Sequence, residues 1–438
     1  MFMSAIGDLR TAVITAMGVA APGALDPESF WTLVRNGQTA ISRIQRVDTA
    51  ESGCSFGGEV PPFDLTLLPG ELKPKRLARH TQVVLWAAQQ LKSEVDKLPA
   101  SPFIRLGVAT SCASMISESG ISRSQRGARA ASRYMVAQCP PHAASGTIAQ
   151  YFQTSANVVT VSTGCAAGLD AIGLAARDIV SGVTDYVVAG GADCATGLSP
   201  LTEFVNSGLS SVRNSSPEKA SRPFDVFADS GVCAEGAGLF LIEEKASALR
   251  RGATIIAEIA GYGSRLDHER YRPGSGWPAC MREALKDAGW TEAMVDSVSA
   301  WGPGHPLIDR IEAEAIAEVL GRHASHIPVY SIKGIIGNPM AAAGPLQVAA
   351  CIHSFRDGLV PPTANLEVPL PEVALDFVRG KARRCFPQTA LLNAHGVGGA
   401  NATLLLRAPL RSGFPLRRTE PNPTQKERQM ECVLVPEL

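Results

Sequence analysis

Short apolar runs alternate with stretches of helical spacing along most of the chain, a pattern that predicts a layered α/β protein. Thr11–Met17 (TAVITAM) reads as a buried strand ending at Gly18, and Glu28–Arg35 as a short amphipathic helix. Leu77–Leu91 has helical apolar spacing, and Arg105–Thr110 (RLGVAT) is a strand. Val158–Ser162 (VVTVS) is a strand that runs straight into a Gly/Ala-rich helical segment, Thr163–Ile179. Asp185–Gly190 and Gly238–Ile242 are two more strands.

The second half continues in the same style. Thr254–Gly261, Ser297–Ala300, Val329–Ile332, Ala390–Asn393 and Ala402–Leu406 read as strands, the last two closing around a glycine loop. Gly276–Ala288, Arg310–Leu320 and the Ala-rich Ala341–Phe355 read as helices. A polar stretch near residues 245–255 separates the halves, giving expected units at 1–250 and 251–410. Residues 411–438 are rich in Pro and charge with little apolar periodicity and are expected to form a loosely ordered tail.

Composition narrows the function classes. With 45% apolar and 19% charged residues, a chain of 438 can bury a large core. Lys+Arg and Asp+Glu both number 41, so net charge gives no case for nucleic acid or an anionic membrane surface. It leaves room for a local basic patch that docks an acidic protein. The 10 cysteines are scattered without a CxxC pair, which points to reduced, mostly buried thiols in a cytoplasmic protein rather than a disulfide framework or a metal site. The first residues lack a charged start followed by a long apolar run, and no apolar stretch reaches about 18 residues, so neither a signal peptide nor a membrane span is expected.

One segment carries chemistry. In Ser162-Thr163-Gly164-Cys165-Ala166-Ala167-Gly168, Cys165 falls on a strand-to-helix corner with its sulfur near a helix N-terminus. Such a position favours thiolate, and the free N–H groups can hold the oxyanion of an attacked thioester. The small neighbours leave room for a substrate. A buried structural cysteine is the usual reading of an isolated cysteine, and this motif taken alone leaves the structural and reactive readings evenly balanced.

Further blocks, in matching order, give the motif its context. AVITAMGVAAPG, STGCAAGLDAI, SRPFDVFADSGVCAEGAG, WGPGHPLIDRIEAEAI, SIKGIIGNPMAAAG and NAHGVGGANATLLL together resemble the β-ketoacyl synthases of fatty-acid and polyketide assembly, over roughly residues 10–407. The resemblance implies a thiolase-like, five-layered α-β-α-β-α fold of two pseudo-symmetric halves, the N-terminal half carrying the nucleophile. It also implies a dimer and acyl chains delivered on the phosphopantetheine of an acyl carrier protein or on coenzyme A, with no further cofactor. Cys165 matches the family's acyl-accepting cysteine, Lys333 its lysine, and Asp309 and Glu312 its acidic positions.

Several positions depart from the family. Trp301 and Asn338 stand where the family has its two histidines. Indole offers one N–H donor, no acceptor, and no proton transfer, whereas an amide can still donate to a thioester oxygen. Pro303 and His305 replace threonines that hold the pantetheine arm, Gly231 and Val397 replace aromatics, and His395 replaces a second aromatic beside the glycines of the gate loop (Gly396, Gly398, Gly399). His395 is therefore a candidate replacement base for the thiol, and His305, Gly231, Val397, Gly396 and Gly398 are candidate acyl- or pantetheine-binding positions. Met135 and Cys139 fall where the family's dimer contacts and pocket meet.

The expected function is a chain-length-factor-like subunit that pairs with a catalytic ketosynthase, or otherwise with itself, and has little or no malonyl decarboxylation of its own. The alternative is an acyltransferase or altered condensing enzyme that forms an acyl thioester on Cys165.

Overall fold

The first strand, β1 (Ala12–Ala20), runs three residues past the Met17 at which the sequence pattern ends it. Gly18 does not break the strand. A Cβ there would lie 2.1 Å from the Ala87 carbonyl oxygen, so the glycine lets helix α1 (Arg79–Gln89) lie flat on the sheet. The computed structural model describes residues 10–127, 129, 133–409 and 433–434.

The remaining strands of the main sheet are β2 (Phe103–Gly107), β3 (Val158–Val161), β4 (Tyr186–Cys194), β5 (Glu235–Glu244), β6 (Ala257–Leu266), β7 (Val298–Ser299), β8 (Pro328–Tyr330), β9 (Asp376–Phe377), β10 (Thr389–Gly396) and β11 (Ala400–Arg407). Their order across the sheet is β9-β8-β7-β10-β11-β6-β1-β5-β4-β2-β3. Outward from β1, the pairings run antiparallel, antiparallel, parallel, parallel. Outward from β6 they begin with the same series, through β11, β10, β7 and β8. The two halves are thus topological copies. They meet where Ala12–Ile14 pairs antiparallel with Ala257–Ile259, joining both sheets into one ladder.

Two helices fill the space between the halves: α3 (Ala167–Val180) and α6 (Ala343–Asp357). Both are apolar or small on nearly every face, as burial between two sheets requires. The main polar exception in α6, Gln347, donates to the carbonyl oxygens of Ser299, Ala300 and Asn393. Helices α1 and α2 (Ala143–Tyr151) cover the outer face of the N-terminal half, and α4 (Trp277–Ala288) and α5 (Pro306–Leu320) pack on the C-terminal half. The result is the expected α-β-α-β-α layering. Among the described residues no helix is long and apolar enough to cross a membrane. Apart from Val433–Leu434, which pairs with Arg383–Arg384, the expected tail from residue 411 lies outside the described residues.

Candidate active site

Strand β3 ends at Val161, and the chain turns through Gly164, whose φ of +59° suits glycine. A single 3₁₀ turn, Gly164–Ala166, then leads into α3, so Cys165 stands at the foot of a helix buried between the two halves. The carboxyl of Asp170, one turn on, accepts the Thr163 hydroxyl and the Tyr262 hydroxyl (2.6 Å), pinning this corner to β6 of the other half. The glycine loop between β10 and β11 lies against the corner. A Cβ on Gly396 would fall 2.6 Å from the Thr163 carbonyl oxygen, so that position must be glycine for the loop to come so near. The Val397 side chain faces solvent at 63% exposure, while its backbone N–H and that of Cys165 both act on the sulfur. Gly398 and Gly399 complete the turn at φ +101° and +93°.

The thiol itself is sealed, at 3% exposure. The sequence predicts a lowered pKa, and the structure reverses that expectation. Burial, reinforced by the carboxylate of Asp193, pushes Cys165 up to about 12, against the pull of the Val397 N–H and Lys333. A short 3₁₀ turn with two donors does not offset complete desolvation.

Lys333 follows β8 in a short turn and is also buried. Its ammonium donates to the Trp301 carbonyl oxygen at 2.7 Å and lies 3.7 Å from the centre of the Trp301 ring. Burial lowers the amine to about 7, opposed by Glu312, Cys165 and Asp309. Trp301 is 2% exposed. Its backbone is fixed by Glu312 on α5, which accepts the N–H groups of Trp301 and Gly302, each at 2.7 Å, and the Asn393 amide at 3.1 Å. Asp309 holds the same loop through Gly304 N–H and ties it to Phe224 N–H; burial pushes this carboxyl up to about 8. The two acids after the loop therefore shape the site without reaching into it.

Asn338 is placed by backbone bonds to Val232 and Ala234 on the strand side. Its Nδ2 lies 3.6 Å from the Met340 sulfur, and its Oδ1 is buried with no hydrogen-bond partner. The Cys165 sulfur touches the same Met340 sulfur at 3.6 Å. Cys165, Asn338, Lys333 and Trp301 are thus brought together around one buried centre.

His395 is not part of it. Along β10, Gly396 abuts the nucleophile corner, so its neighbour His395 points to the opposite face of the sheet. There its ring packs on Trp277 of α4 (5.2 Å between centres), and Nδ1 bonds to Asn401 Oδ1 at 2.9 Å. Because the Asn401 amide nitrogen donates elsewhere, its oxygen accepts from His395. The expectation of a replacement base for the thiol is corrected to a packing histidine. At Gly231 a Cβ would lie 3.2 Å from the Pro303 carbonyl oxygen and 3.4 Å from that of Leu209, so the glycine lets the Pro303 loop pack close. His305 caps α5 with its carbonyl, and its Nδ1 is buried without a partner. Met135 and Cys139 line an apolar cleft of about 590 Å³ with Ala109, Ile116, Val136, Pro140 and Pro141.

Two residues of the site escaped the sequence reading. Asp193, at the end of β4, collects the N–H groups of Ala109, Thr110, Ser111 and Cys194 directly behind the nucleophile helix. A lone acid closing an otherwise apolar, glycine-rich run (AGGADC) was the available signal. Met340 gave none, since its side chain acts only through where the fold puts it.

Residues 10–248 match the family model for the β-ketoacyl synthase N-terminal domain, and residues 256–367 that for the C-terminal domain. The chain is 32% identical to the 3-oxoacyl-[acyl-carrier-protein] synthase 2 of Synechocystis sp., covering 91% of this chain and 98% of that protein. It is 34% identical to the actinorhodin polyketide putative β-ketoacyl synthase 1 of Streptomyces coelicolor, covering 91% and 88%. Among solved structures it is similar to the ishigamide ketosynthase/chain length factor, with a TM-score of 0.83 at 28% identity over 91% of this chain and 99% of that one.

Proposed function

The chain belongs to the β-ketoacyl synthase family, and from that premise we propose that it accepts an acyl group on Cys165 from a carrier-bound thioester but does not itself decarboxylate malonyl units. The observation that carries this reading is the Trp301 indole, packed 3.7 Å from Lys333 beside an otherwise intact nucleophile corner. Indole has one N–H donor, no acceptor and no transferable proton, so at the first histidine position it can neither act as a base nor relay a proton to the enolate left when a malonyl unit loses CO2. Acyl loading asks less. The Cys165 sulfur attacks the thioester carbon, and the N–H groups of Cys165 and Val397 steady the oxyanion. On collapse the carbon–sulfur bond to the carrier breaks, and the departing thiolate takes the proton that Cys165 gave up. Asn338 Nδ2 can donate to the same carbonyl oxygen.

The partners follow from surface chemistry. Arg76 and Arg133 stack on Tyr134, and the exposed Lys73 and Lys75 precede Arg76 in the chain, a basic group that suits an acidic acyl carrier protein. The edge strand β3 exposes Val158 and Val159 (37% and 40%), and the same half also carries the apolar cleft with Val136 at 87%; an uncovered apolar edge of this kind suits pairing with a second chain. That edge, together with Trp301, favours a second reading, the chain-length-factor-like subunit beside a competent ketosynthase.

Incubation with acyl-carrier thioesters followed by intact mass separates the two readings. The first expects an adduct that Cys165→Ala abolishes. Absence of any adduct at every chain length, alongside a stable heterodimer with a competent ketosynthase, would leave the subunit reading alone.

A further inference from the structure

Cys165 and Asn338 both face the thioether of Met340, each at 3.6 Å. This is an odd partner for two polar groups. A thioether is a weak acceptor, and Asn338 Oδ1 beside it has no partner at all. A thioester carbonyl in that space would serve the amide better, yet Met340, 1% exposed, fills it.

The backbone around Met340 cannot yield. Asn338 is bonded on both sides to Val232 and Ala234, and Ala341 N–H reaches Asp193 at 3.5 Å. The Ala341 carbonyl oxygen is wedged against α3 and β4, where a Cβ on Gly168 or Gly191 would come within 2.0 and 2.3 Å of it. Met340 itself is held at φ +47°, a left-handed conformation that a side-chain-bearing residue keeps only under such constraint. Only the side chain is free to move, and methionine, unbranched with three rotatable bonds, is well suited to do so.

From this arrangement we infer that Met340 is a plug over the nucleophile: a specificity-determining side chain that limits resting Cys165 to short acyl groups and must swing aside before a longer chain enters. The inference rests on the reading of Cys165 as an acyl acceptor. Displacing the plug does two things at once, since it opens the sulfur and releases the Asn338 amide to donate to the arriving carbonyl.

Haloacetamides test the plug without any carrier thioester. Cys165 labelling is followed at peptide level by mass spectrometry, comparing iodoacetamide with its N-octyl analogue at pH 9. In the native protein Cys165 reacts at least about tenfold more slowly with the octyl reagent than with the small one. Met340→Ala removes that ratio, and Met340→Leu, which keeps the bulk, retains it. Met340→Gly relieves the left-handed backbone and so provides an opened variant even where the alanine variant fails to fold. A ratio unchanged in both the alanine and glycine variants overturns the plug. Size discrimination by haloacetamides with no acyl adduct from any thioester would keep the plug and remove the acyl-acceptor reading instead.

Discussion

Replacing Trp301 and Asn338 together by histidine is expected to create malonyl decarboxylation, which the proposed function denies to the native protein. The structure indicates why the exchange should be tolerated. Residue 301 is positioned through its backbone, by Glu312 at its N–H and Lys333 at its carbonyl, so an imidazole would start from the same Cα as the indole. The cost is local: the face-on Lys333 contact is lost, worth up to about 2 kcal/mol in a desolvated site, along with part of the roughly 3–5 kcal/mol that complete truncation of a buried Trp removes. The gain is catalytic. A positioned catalytic group acting on developing charge contributes about 2.7–4 kcal/mol, or 10²–10³ in rate, so restoring the group at 301, with a smaller gain at 338, should raise turnover by about 10²–10³-fold. Trp301→His alone should yield more than Asn338→His alone, because the amide at 338 can already donate. The assay is the conversion of malonyl-carrier to acetyl-carrier followed by mass. A rise below tenfold in the double variant, with Cys165 still labelled by iodoacetamide at the native rate, would refute the assignment of the defect to these two positions.

Two further outcomes follow from burial. With its thiol near 12, Cys165 alkylation should climb tenfold per pH unit between pH 7 and 10, and a plateau near 8.5, where a free thiol titrates, would contradict the sealed site. The same shift has a sign for stability. A thiol that holds its proton more tightly folded than unfolded adds stability fully present below about pH 8.5 and lost as pH rises toward 12, so chemical denaturation at pH 10 against pH 7.5 should show weakening that Cys165→Ala reduces. At the sheet edge, Val158→Lys with Val159→Asp should abolish the proposed pairing, leaving a monomer in sedimentation with the fold unchanged by circular dichroism; a variant that still pairs would place the interface elsewhere.

The strands, the helices and the strand-to-helix corner at Cys165 were legible in the sequence because each is a local pattern: apolar runs of period two, helical spacing, and small residues flanking a cysteine at a strand end. The order of blocks likewise announced the layered fold. Boundaries erred where a neighbour decided them, as at Gly18, whose role is to admit α1 rather than to end β1. Site membership was only half legible. Whether His395 reached the thiol depended on which face of β10 it occupied, and a one-residue alternation sent it to Trp277. The state of the thiol was read with the wrong sign, because the helix-end argument is local whereas desolvation comes from everything packed around it. What the sequence by itself determined was therefore the chemistry available: a thiol, an amine, an amide and an indole at family positions. Only the tertiary structure decided how those groups are buried, which of them touch, and that a methionine stands between the thiol and the amide, since burial and contact are set by residues far apart in the chain.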